Sequence, residues 1–152
     1  MDELKEFHDD IENPDGMAAF NFNDDHHVKA HIRYLFRTDG DQKWTNDLTQ
    51  NDIFFLDGEM WKFPQEFEDR KKIEKVILEK IKNVNYEDLM MVRLNYFHDD
   101  VWHINDDFMR LAIDLLNDIE NENNIKLICA VIHEDQEDTF IHLHLLLQET
   151  GK

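Results

Sequence analysis

Apolar side chains recur along this chain with two periods, and each period predicts a different kind of element. Residues 1–16 are polar and acidic and close on a turn signal, Asn13-Pro14-Asp15-Gly16. Residues 17–22 suit a short strand, after which Asn23 or Asp24 caps a helix running through Arg37. On that helix Val28, Ile32, Leu35 and Phe36 form one apolar stripe, and His27, His31 and Tyr34 fall on another. Residues 53–56 and 59–63 flank Asp57-Gly58 as a hairpin with a tight turn. Pro64 fits the first turn of a helix to about Asn83, with Phe67, Ile73, Val76, Ile77 and Ile81 facing inward. The basic run Arg70-Lys71-Lys72, with Lys75, Lys80 and Lys82, reads as the solvated face of that helix. Residues 89–97 make a strand. Asn105 or Asp106 then caps an amphipathic helix carrying Phe108, Leu111, Ala112, Leu115, Leu116 and Ile119.

The order strand, helix, hairpin, helix, strand, helix, strand, strand predicts an α+β fold. Its natural architecture is a largely antiparallel sheet of about five strands with helices packed mainly on one face. Residues 1–16 form an acidic N-terminal lead-in, and residues 17–152 read as a single domain with no internal repeat or linker.

The last two strands carry the strongest chemical signal. They are Ile128 to His133 and the run Ile141-His142-Leu143-His144-Leu145-Leu146-Leu147-Gln148, joined by an acidic turn. Residues two apart on a strand share a face, so His142 and His144 project together while Ile141, Leu143, Leu145 and Leu147 project toward a core. With the turn centred between Glu137 and Asp138, His133 lies directly opposite His142. Three imidazoles then come within reach of one divalent ion, with coordination positions left open for water or substrate. Such a centre suits Lewis-acid chemistry on a carbonyl or phosphoryl oxygen. A His-x-His pair alone is more often two solvated side chains; the third histidine at hairpin distance shifts that balance. Asp135 is placed to orient an imidazole from outside the ligand set. Its plainer reading is an ordinary turn aspartate.

Charge narrows the function classes. The formal net charge is −19, whereas a nucleic-acid binder ordinarily presents a basic surface to phosphates. A DNA-processing role would therefore need a local basic patch, a bound metal or a basic partner; a DNA-mimic role would need none of these. The first ten residues are acidic and polar, unlike a secretory signal, no apolar run reaches membrane-spanning length, and the lone Cys129 sits in an apolar strand pattern. These features lead us to expect no membrane association and a reducing, cytoplasmic location. Trp44, Trp61 and Trp102 are of a type that stacks on bases, but packing explains them as well.

The histidine hairpin and the elements before it resemble the HUH endonucleases, named for a His-hydrophobic-His strand. The strand containing Met91, the helix over 105–120 and the hairpin follow one another in that family's order. In viral rolling-circle initiators the nucleophilic tyrosine comes after the histidine strand, and here only four residues follow Gln148. The plasmid mobilisation relaxases are permuted, with the nucleophile near the N-terminus and the hairpin last, and this chain looks like that arrangement. The segment Ala30-His31-Ile32-Arg33-Tyr34-Leu35-Phe36-Arg37 is similar to their early helix. The stretch from Ala130 through His133 to His144 is similar to their third motif.

The resemblance implies that Tyr34 is the nucleophile and that His133, His142 and His144 hold a divalent metal ion: manganese, magnesium or zinc. In one branch a histidine replaces the tyrosine, which points to His31. It further implies nicking and transesterification of single-stranded DNA, at an origin of transfer or replication, in plasmid mobilisation or rolling-circle replication. Arg33, Arg37 and Arg93 would clamp phosphates. The competing reading is a relaxase-like acidic protein without catalytic power that binds a basic protein partner as a DNA mimic. A third is the catalytic part of a longer relaxase.

Overall fold

A computed structural model of the chain describes residues 17–38, 52–96, 106–133 and 141–151. The acidic lead-in, Trp44, Trp102 and Asp135 lie outside the described residues. The elements in chain order are β1 (Met17–Asn21), α1 (Asp25–Leu35), β2 (Ile53–Leu56), β3 (Glu59–Lys62), α2 (Phe67–Ile81), β4 (Leu89–Tyr96), α3 (Asp106–Glu120), β5 (Ile125–His133) and β6 (Ile141–Glu149), with a short 3-10 turn at Tyr86–Asp88. The fold is α+β.

The strands form one six-stranded sheet in the order β1-β4-β6-β5-β2-β3, with every neighbouring pair antiparallel. That agrees with the expected antiparallel sheet of about five strands, with β1 and β3 as its two edges. Asp57 and Gly58, at φ 53° and 82°, supply the two positive-φ residues of a tight hairpin turn between β2 and β3. Asp24 caps α1, its carboxylate accepting the His27 amide at 2.7 Å.

Helices cover both faces rather than mainly one. Ala112, Leu115, Leu116 and Ile119 of α3 join a core with Met90, Val92, Leu143, Leu145 and Ile132. On the other face Val28, Ile32 and Leu35 of α1 and Ile77 and Ile81 of α2 join a second core with Met91, Leu146, Cys129 and Val131. The central strands are the reason. Met90 beside Met91 and Leu145 beside Leu146 put apolar side chains on both sides, and a sheet apolar on both sides must be covered on both.

Two local expectations change. Helix α2 starts at Phe67, so Pro64 lies in the connection before it. Its buried stripe is Arg70, Glu74, Ile77 and Ile81, while Val76 is exposed. Arg70 is thus no part of a solvated face; its guanidinium donates to the Pro64 and Gln65 carbonyls at 3.1 and 2.8 Å, tying the start of the helix to the loop before it.

Strand β5 contains a bulge between Leu127 and Cys129. Before it, Leu127 faces the α3 core; after it, Cys129 and Val131 face the α1–α2 core. One inserted residue therefore reverses the phase of the strand, and that reversal turns His133 toward α1.

Candidate active site

The register pairs His133 with His142 and Val131 with His144. His133, His142 and His144 are all buried and share the face under α1. Their rings form a cluster: the His133 and His144 centroids are 4.7 Å apart, and those of His142 and His144 are 6.0 Å apart and nearly parallel. Helix α1 crosses above them. The Tyr34 ring stands 5.8 Å from His133 and 6.0 Å from His144, edge-on to both. His31 lies 5.7 Å from Tyr34 and 6.5 Å from His144. Elements far apart in sequence thus bring five aromatic side chains together.

The hydrogen bonding of His133 identifies its tautomer. Its Nε2 is 2.9 Å from the Leu35 carbonyl oxygen, which can only accept. Nε2 therefore carries the proton, and in the neutral ring Nδ1 keeps a lone pair. Nδ1 of His133 and both ring nitrogens of His144 are buried without a hydrogen-bond partner. Burial pushes the pKa values of His133 and His144 well below the ordinary histidine value, and the neighbouring histidines and Arg37 push the same way. Burial, helped by His27, lowers that of His31 to about 4. These rings are neutral at pH 7, the form in which imidazole binds a metal.

The three histidines suit a divalent ion by type, and one pair of them also by spacing. A metal lies about 2.1 Å from a ligating nitrogen, which puts two rings sharing one ion roughly 4.5–5.5 Å apart between centroids. The His133–His144 spacing of 4.7 Å meets that, and the His142–His144 spacing of 6.0 Å exceeds it. An imidazole whose other nitrogen donates to a backbone carbonyl, as His133 does to Leu35, is the usual support of a ligand histidine. The aim of the rings is less favourable. His142 and His144 are stacked at 17°, and among the described residues no three His, Cys, Asp or Glu side chains stand in a ready ligand geometry.

Of the three arginines expected to contact phosphate, two lie by the cluster. Arg37 is 1% exposed, with its guanidinium 5.1 Å from the Tyr34 ring centre. Arg93 is exposed and pairs across the sheet with His144. Arg33 points elsewhere, its Nε 4.0 Å from the Glu74 carboxylate on α2.

Two further residues beside the site are Thr38 and Glu74. Both are buried, and the Thr38 hydroxyl donates to Glu74 Oε1. A signal for Glu74 existed: Arg70, Glu74, Ile77 and Ile81 share one helical face, so a carboxylate occupied a core position. Thr38 had no such signal, since it follows the helix. No family model, curated protein or solved structure matches the chain.

Proposed function

We propose that the chain is a metal-dependent nuclease that cuts and rejoins single-stranded DNA through a covalent tyrosine intermediate. The observation that carries this reading is the ring of Tyr34 within 6.0 Å of both His133 and His144. A nucleophile and a set of neutral imidazoles are then neighbours in one cluster. A divalent ion bound to the histidines would polarise a non-bridging oxygen of the scissile phosphate. Tyr34 Oη attacks phosphorus, and the bond from phosphorus to the 3′-oxygen breaks. The products are a 5′-phosphotyrosine and a strand ending in a free 3′-hydroxyl, which takes up the proton that the phenol loses. Reversal by a second 3′-hydroxyl rejoins a strand. Arg37 offers a guanidinium from beside the Tyr34 ring, and Arg93 a second from the neighbouring strand. A cytoplasmic setting, with a plasmid transfer or replication origin as the DNA, belongs to the same proposal.

The test is incubation with single-stranded oligonucleotides and manganese, followed by a denaturing gel. Wild type and His31→Ala should give a covalent adduct, and Tyr34→Phe should give none. Adduct lost in His31→Ala and kept in Tyr34→Phe would move the nucleophile to His31.

The net charge of −19 supports one other reading, an inactive protein that occupies the DNA groove of a basic enzyme. It requires no adduct under any metal and competition with DNA for that enzyme.

A further inference from the structure

Helix α1 ends in an unusual way. The Arg37 amide donates to the Tyr34 carbonyl at 3.3 Å and the Thr38 amide to the Arg33 carbonyl at 2.8 Å. These two bonds define a Schellman ending, in which the residue at Arg37 must turn left-handed and is ordinarily glycine. Arg37 has φ 56°, so a bulky side chain sits where the backbone favours none. Such a conformation persists only when its surroundings impose it, and it clusters at functional sites.

The surroundings here lie on α2. Glu74 is 5% exposed and Thr38 2% exposed, and the Thr38 hydroxyl donates to Glu74 Oε1. Lys71 Nζ lies 3.7 Å from Glu74 Oε2 and Arg33 Nε 4.0 Å from Oε1, so the carboxylate is compensated from two directions. Glu74 therefore ties the residue after the left-handed turn to a second helix and steadies the last turn of α1 through Arg33. That turn carries the Tyr34 ring, the Arg37 guanidinium over it and the Leu35 carbonyl that receives the His133 proton.

We propose that Glu74 and Thr38 are positioning residues, a latch between α2 and the end of α1 that sets Tyr34, Arg37 and the Leu35 carbonyl against the histidines. Neither touches the reacting atoms. The consequence for rate rests on the reading of Tyr34 as nucleophile; the consequence for His133 does not.

Two readouts separate the latch from that reading. The first is the imidazole Nε2 proton of His133, held by the Leu35 carbonyl and visible by ¹⁵N NMR as a slowly exchanging resonance. The second is the rate of oligonucleotide adduct formation with manganese. Thr38→Val keeps the shape and removes the donor; Thr38→Ser restores it. In Thr38→Val the His133 proton should exchange with solvent and the adduct rate should fall on the order of 10–100-fold, as misplacement by about 1 Å does. Thr38→Ser should match wild type in both. If Thr38→Val fails to fold, Glu74→Met against Glu74→Gln makes the same comparison, since glutamine keeps the acceptor oxygen. Retention of the His133 proton in Thr38→Val or Glu74→Met overturns the proposal whatever the rate does. A wild-type protein that forms no adduct, with the proton lost in Thr38→Val, removes the nuclease reading and leaves the latch standing.

Discussion

Replacing His144 with leucine should raise stability in one solution and lower it in another. His144 is buried, and neither ring nitrogen has a hydrogen-bond partner. Each unsatisfied buried polar group costs about 1–3 kcal/mol, so the two nitrogens together cost about 2–6 kcal/mol when nothing is bound. Leucine is of comparable bulk and removes both, at a shape cost of up to about 1.5 kcal/mol. The net gain is at least about 0.5 kcal/mol, and about 2 kcal/mol is the expected value. For a chain of this length that is a rise of about 4–8 °C in melting temperature, measured in chelator. Manganese should reverse the order. At one hundred times its dissociation constant, a ligand stabilises the native state by about 2.7 kcal/mol. Wild type should show that rise, and His144→Leu should not. The assay is a pair of thermal melts, one in chelator and one in manganese, for both proteins. A lower melting temperature of His144→Leu in chelator would mean that the nitrogens have partners after all. An equal manganese-induced shift in both proteins would remove His144 from the ligand set.

Three other outcomes follow from the same geometry. The folded-state pKa values of His31, His133 and His144 are all depressed, so the unfolded chain binds more protons below pH 6.5. Stability of the metal-free protein should hold above pH 6.5 and fall as pH drops from there toward 4; His31→Gln should make that fall shallower in urea titrations. Cys129 is buried and its thiol is pushed up to about 12 by burial, so a disulfide reagent at pH 8 should modify it only after denaturation. Asp24→Ala removes the acceptor of the His27 amide and should cost about 1 kcal/mol, read as a lower urea midpoint without a change in slope.

Much of this molecule is written in local patterns. Period-2 and period-3.6 spacing, the Asp24 cap and the Asp57-Gly58 turn depend on neighbours within a few residues, and those elements emerge close to their expected places. The pairing of His133 with His142 was legible as well, because a hairpin's register follows from where its turn is centred. Other features depend on contacts between distant segments. The bulge between Leu127 and Cys129 decides which face of β5 carries His133, and nothing in the apolar run around it marks the inserted residue. Arg70 looks like a member of a charged surface run until the loop carbonyls are packed against it, and Glu74, although it shares the helical face of Ile77 and Ile81, has no visible partner until Thr38 is brought to it. The approach of Tyr34 to His133 joins residues nearly one hundred positions apart, as the Leu35–His133 bond shows with a separation of 98. The sequence by itself determined the donors, their strand partners and the elements that carry them, since these rest on short-range sterics and alternation. Only the tertiary structure decided which donors meet and which charges are buried, because burial is a property of surfaces that touch after the chain has folded.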